Sequence, residues 1–262
     1  QIEISSFQII NQDSFEPIFV HNFPFFEIAC SLLSCKLIGR TVPLFAVGTG
    51  IVTEIQQEPS CGRVVLFQYC DRDLTSVSDY PTKGAVYCII EHNGRLVCCV
   101  SHSVLVLTLR SDNNILCLHE ISNNVTSLYA KSLNHTVIVG DLIRSLTVYN
   151  ANDHGDLDLL GKSGETNWLT AIEIIDKNNF LYSNMDGCLF IGSKPSNIDE
   201  DSRGLYNLCV TLCFNLDQQV NVFKRGSLLC NISQDKNIRN KHSILFGCVS
   251  GMIGIYFCSF FK

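Results

Sequence analysis

Residues 161–166 read GKSGET, a glycine followed by lysine and serine, the residue types with which a loop cradles a nucleotide phosphate. In that chemistry backbone N–H groups and the lysine neutralise the phosphate, and the serine hydroxyl meets its metal ion. The spacing requires a second glycine at position 156, where the chain has Asp156, and Gly155 is one residue out of register. The loop also requires a helix after it, whereas AIEIID (171–176) alternates apolar and polar residues in the manner of a strand. Phosphate chemistry is therefore rejected for this stretch. It leads instead into Asn167 and Trp168, the only tryptophan of the chain.

Other chemistry-bearing residues fail on spacing as well. Val47-Gly48-Thr49-Gly50 lacks the third glycine of a dinucleotide fingerprint and reads as a turn that ends a strand. Cysteine pairs such as Cys30 and Cys35, Cys61 and Cys70, Cys98 and Cys99 are irregularly spaced and do not repeat a ligand spacing, and adjacent cysteines on a strand face opposite ways. No metal centre or cofactor is expected. The seven histidines are scattered singly, and His21, His92, His102, His135 and His242 stand beside turn-forming residues, so solvated loop positions are expected and no nucleophile–base pair is assembled. The chain is expected to be no enzyme.

Composition limits the remaining functions. The net charge of −6, with 19 scattered Lys and Arg, supplies no basic stripe for a nucleic-acid groove. Fourteen cysteines in apolar runs such as RLVCCV imply free buried thiols rather than a disulfide scaffold. No apolar stretch reaches membrane-spanning length, so no membrane contact is expected. Sequons at Asn124, Asn134 and Asn231 are of the kind that arise by chance in a chain rich in Asn, Ser and Thr.

The positioning elements are paired strands. RLVCCVSHSVLVLTL (95–109), TVIVGDLIRSLTVYN (136–150), FLYSNMDGCLFIGS (180–193) and ILFGCVSGMIGIYF (244–257) each read as two antiparallel strands about a turn of Ser-His, Gly-Asp, Asp-Gly or Ser-Gly. LFAVGTGIV (44–52) followed by GRVVLFQY (62–69) is a looser copy. The first two intervals between copies match the ~40–45 residues of a propeller blade. The third is lengthened by residues 193–204, SKPSNIDEDSRG, expected as an exposed insertion. Further strands are expected in GAVYCIIEH (84–92), NVTSLYAK (124–131), WLTAIEIID (168–176) and QQVNVF (218–223), the first three opening the innermost strand of a blade. The pattern predicts one all-β domain over residues 1–262, a WD40-like β-propeller of four-stranded blades.

FEIACSLLSCKL (26–37), KGAVYCIIEHNGRLV (83–97), VGDLIRSLTV (139–148), NWLTAIEIIDKNNFL (167–181) and SILFGCVSGMIGI (243–255) are similar to the C-terminal β-propeller of one scaffold family. The family includes the large subunit of the UV-damaged-DNA-binding protein, the large subunit of the cleavage and polyadenylation specificity factor and the third subunit of splicing factor 3b. The resemblance implies about five to six blades of seven, the first missing, in a segment of a longer nuclear and cytoplasmic protein. The isolated segment would then expose open edges and is expected to aggregate or stay partly unfolded. Through KGAVYCIIEHNG, VGDLIRS and GMIG the chain resembles the cullin-4 ubiquitin ligase adaptor more than the two RNA-processing members, which implies a role in ubiquitination and DNA repair. Substrate-receptor proteins and the upstream propellers are the implied partners, with nucleic acid met only through them. An RNA-processing scaffold is the alternative. The receptor-facing surface that the resemblance implies comprises Ala85, Tyr87, Leu128, Tyr129, Leu142, Arg144, Trp168, Asn221 and Val249.

Overall fold

Runs rich in Val, Ile, Leu and Phe, broken every few residues by Gly, Asn or Asp, favour short pleated strands over helices. The computed structural model describes residues 4–53, 58–70, 73–122, 124–195, 205–226 and 242–258, and every regular element among them is a β-strand. Residues 196–204, most of the expected insertion, and Asn231 lie outside the described residues. The fold is all-β, a partial β-propeller built of blade-like antiparallel sheets. It divides into two compact units, residues 1–132 with 151–158, and residues 133–150 with 159–262.

In the first unit β1 (Ser6–Ile10) pairs with β2 (Pro17–Asn22). A four-stranded meander follows: β3 (Glu27–Cys35), β4 (Leu44–Ile51), β5 (Gly62–Cys70) and β6 (Asp73–Thr82). Next comes β7 (Val86–His92), β8 (Arg95–Val100), β9 (Ser103–Leu109) and β10 (Ile115–Ile121), again in chain order. Then β11 (Ser127–Leu133) begins. The second unit contains the hairpin of β12 (Thr136–Asp141) and β13 (Ser145–Ala151) and the end of β14 (Leu157–Ser163). It continues with the meander β15 (Leu169–Ile174), β16 (Asn179–Asn184), β17 (Cys188–Ser193) and β18 (Tyr206–Asn215). It ends with β19 (Val220–Arg225), β20 (His242–Cys248) and β21 (Ile253–Cys258). As expected, β7 and β15 are terminal strands of their sheets.

Both faces of the middle strands are buried, which explains their unbroken apolar runs. Val64 and Leu66 of β5 join a core with Leu96, Cys98, Leu105 and Leu107 of the next meander, while Val65 and Phe67 turn the other way onto Phe7 and Phe23. In the second unit, Leu181, Leu189 and Ile191 meet Phe223, Ile244 and Phe246. Each fully buried Leu or Phe contributes roughly 1.5–3 kcal/mol through area removed from water.

Several expectations are corrected. Val47–Gly50 does not end a strand; it lies inside β4. A Cβ on Gly48 would stand 2.3 Å from Ser31 Oγ and 2.6 Å from Val86 Cγ1, so these glycines admit neighbouring strands to close approach. Gly48→Ala is expected to destabilise the first unit by about 1–3 kcal/mol through overpacking, read as a lower denaturant midpoint at unchanged slope.

The β12–β13 turn is Leu142-Ile143-Arg144, with Gly140 and Asp141 still in the ladder. His21 is not a loop residue; it sits in β2, edge-on to Phe67 at 4.8 Å and Phe23 at 5.1 Å. His92 closes β7 and is buried, and His242 begins β20. His102 and His135 are exposed in turns, as expected.

The described cysteines are all free thiols, yet Cys30, Cys61, Cys70, Cys209 and Cys213 are exposed where burial was expected. Strand alternation decides this: Cys30 and Cys35, five apart on β3, must face opposite sides. Burial pushes the Cys35 thiol up to about 12, with Glu91 adding to the shift.

Candidate partner-binding surface

The phosphate-like stretch resolves into packing. Gly161 lies in β14 beside Tyr206, whose ring occupies the space a Cβ would need, at 2.4 Å. Ser163 Oγ accepts from the Glu165 N–H at 3.3 Å, and the chain bends into β15 rather than a helix.

Trp168 immediately precedes β15 and is 54% exposed. It is placed by a device that recurs at equal offsets. The first residue after the second strand of a meander donates its N–H to the carbonyl just before the first strand: Ser101 to Ala85 at 3.2 Å, Met185 to Trp168 at 3.0 Å, Val249 to Gln219 at 3.0 Å. The first strand then carries a β-bulge on its second residue, which is Tyr87, Thr170 and Asn221 in turn. A bulge adds a residue to one strand and re-aims its side chain. Tyr87 and Asn221 therefore hold the same structural position.

Each unit gathers its own share of the residues. In the first, the Ser101 carbonyl accepts from the Ser127 N–H at 2.7 Å, which ties the start of β11, with half-buried Leu128 and Tyr129, to the turn that also holds Ala85. Ala85 itself is fully buried, against Gly50, and offers no surface. Burial raises the Tyr87 and Tyr129 hydroxyl pKa values, with Glu58 and Cys30 adding to the first shift and Cys88 to the second.

In the second unit, Arg144 bridges in parallel to Asn167, directly before Trp168. The Asp141 carboxylate, wholly buried, accepts from the Ile143 N–H at 2.9 Å and the Arg144 N–H at 2.8 Å, and so shapes the turn that exposes Arg144. Leu142 is half-buried, Asn221 is exposed and Val249 is 66% exposed. Sequence reasoning missed Met185, 51% exposed and hydrogen-bonded to Trp168. Its signal was positional, since Leu142, Met185 and Val249 each follow the last residue of a second strand.

Such a surface suits protein recognition. It offers an exposed aromatic ring with few rotors, and the bridge to Asn167 brings the backbone of Arg144, a residue with a forked donor, next to the residue before that ring. Among the described residues no group of three His, Cys, Asp or Glu side chains converges as a metal site, and no helix is long and apolar enough to cross a membrane.

Comparison with known proteins agrees with the fold. DNA damage-binding protein 1 of Drosophila melanogaster is 30% identical over 258 residues, covering 97% of this chain and 22% of the relative. DNA damage-binding proteins 1b and 1a of Arabidopsis thaliana are 29% and 27% identical, over 95% and 97% of this chain. The chain spans less than a quarter of the length of these relatives. The family model described as the CPSF A subunit region matches residues 4–259, and the chain belongs to that family of propeller scaffold subunits.

Proposed function

We propose that this chain is the receptor-binding propeller segment of a cullin-RING ubiquitin ligase adaptor, acting without chemistry of its own in protein ubiquitination and DNA repair, in the nucleus and cytoplasm. Exposed Trp168 carries the reading, because a large aromatic side chain that is 54% exposed, on a backbone fixed by the Met185 N–H at its carbonyl, is the kind of residue that anchors a protein interface. Its partners are substrate-receptor proteins that present an apolar helical segment, and the contact residues proposed are Leu142, Arg144, Trp168, Asn221 and Val249 of the second unit and, separately, Tyr87, Leu128 and Tyr129 of the first. Ala85, fully buried, has no contact with a partner; its carbonyl accepts from the Ser101 N–H and so holds the turn beside Tyr87. The similarity to the DNA damage-binding proteins supports the adaptor reading.

The family match favours a second reading, a scaffold subunit of an RNA-processing complex of the polyadenylation or splicing type. Affinity purification of the full-length protein separates the two: cullin and receptor subunits for the first, cleavage or splicing subunits for the second. Within the first reading, Trp168→Ala is expected to weaken receptor binding at least about tenfold, as an interface anchor should, and Arg144→Glu to weaken it also. Unchanged affinity in both variants would overturn the site.

A further inference from the structure

Cys88 and Cys99 are direct cross-strand partners of β7 and β8, at the first pair after the β7 bulge. The equivalent pairs in the other meanders are Ser31 with Gly48, Ala171 with Ser183 and Val222 with Gly247. This is a position of close approach, filled elsewhere by side chains that cannot react with one another. Only in the second meander does it hold two thiols. Directly opposed residues of an antiparallel pair share a face, with Cα atoms about 4.5–5.5 Å apart. That separation lies inside the roughly 4.4–6.8 Å range a disulfide spans without backbone movement.

The two thiols differ in their surroundings. Cys99 is wholly buried, whereas Cys88 is only half-buried and directs its Sγ toward the Ala130 carbonyl of β11 at 3.9 Å. Cys98, next in the chain, points into the opposite core beside Leu96 and Val100 and cannot substitute for Cys99. A hydrogen bond from the Cys99 thiol draws the Cys88 thiol down to about 7 against the effect of burial, with Lys131 helping. The same hydrogen bond and burial push Cys99 up. Cys88, the less buried of the two, is the thiol an oxidant reaches first, and Cys99 is the resolving thiol opposite it.

The geometry points to Cys88 and Cys99 as a reversible dithiol–disulfide site, a modification site within the blade rather than a structural bridge. With hydrogen peroxide as oxidant, the Cys88 thiolate attacks one oxygen and the O–O bond breaks. Sulfur is oxidised to the sulfenic acid, and the departing hydroxide leaves as water with the thiol proton. The Cys99 sulfur then displaces the Cys88 hydroxyl. The S–S bond forms, and the hydroxide takes the Cys99 proton as a second water. Two thiols and one peroxide become one disulfide and two waters, and an external dithiol reverses the change.

The site stands independently of the adaptor reading. Its disulfide would fix the start of β7 against β8, directly behind Tyr87 and within reach of Tyr129.

The test uses the full-length protein, exposed to hydrogen peroxide, alkylated without reduction and digested with trypsin, which cleaves at Lys83, Arg95 and Arg110. The expected product joins residues 84–95 to residues 96–110 through Cys88 and Cys99, with loss of the two thiol hydrogens, and dithiothreitol abolishes it. In Cys99→Ser the cross-link is lost and Cys88 accumulates as a sulfenic acid that dimedone traps, while Cys98→Ser retains the link. A treated wild-type chain whose exposed Cys30, Cys61 and Cys70 are oxidised while residues 84–95 and 96–110 stay unlinked would overturn the proposal. So would a link formed through Cys98.

Discussion

Arg63→Met is expected to destabilise the first unit by about 2–3 kcal/mol near neutral pH. Glu27, 5% exposed at the start of β3, is held by Arg63 through a bidentate pair, Nε to Oε1 at 2.7 Å and Nη2 to Oε2 at 2.9 Å. Thr49 Oγ1 donates to Oε1 at 2.7 Å, and Asp79 lies 3.6 Å from Arg63 Nη1. Removing the guanidinium leaves a buried carboxylate with a single hydroxyl donor. The partial solvation of Arg63, 31% exposed, keeps the cost at the lower end of what buried pairs show.

The pH dependence separates lost pairing from lost packing. Burial alone would raise the Glu27 carboxyl, but its bonds from Arg63 and Thr49 and the Arg63 charge overcome burial and hold it below its ordinary 4.5. The wild-type contribution is therefore fully present above 4.5 and is lost as the pH falls through the depressed folded value. In Arg63→Met burial dominates, the folded value rises above the unfolded one, and the variant recovers stability as the pH falls. Denaturation at several pH values between neutrality and about 4 should show the deficit shrinking on acidification. A deficit that does not change with pH would mean that Arg63 acts through its aliphatic stem.

Asp141→Ala is expected to cost about 2 kcal/mol, because it leaves two amides at the β12–β13 turn without their acceptor and removes a wholly buried side chain. The effect should be legible locally as well. Hydrogen exchange at the Ile143 and Arg144 amides is expected to accelerate more than in the strands on either side. Asp141→Asn keeps an acceptor oxygen in the same place and should restore most of the stability. If receptor binding falls in Asp141→Ala and returns in Asp141→Asn, the turn geometry rather than the charge presents Arg144.

The two variants mark different depths of legibility. Asp141 precedes Leu-Ile-Arg in a hairpin that the sequence displays openly, yet the turn begins only after the Gly-Asp that was expected to form it. The glycine there continues the ladder, and the aspartate bonds forward to shape the turn instead. The Glu27–Arg63 pair had no sequence signal at all. It joins residues on β3 and β5, far apart in the chain, across a β4 that supplies Thr49.

The sequence by itself determined the local facts: strands from alternating and doubly buried apolar runs, four-stranded meanders from the repeat of turns, and membership of a propeller family from collinear motifs. It was enough to reject phosphate chemistry, because that motif depends on register along one chain. Tertiary structure alone decided which residues face outward. Gly48 and Gly50 read as turn residues until neighbouring strands were seen to need their space. Ala85 and Trp168 hold equivalent positions, yet one is wholly buried and the other is 54% exposed. Met185 and the Cys88–Cys99 pair were invisible for the same reason. Burial and cross-strand register are set by strands that meet in space, and spacing along the chain carries no record of which strand a side chain will meet.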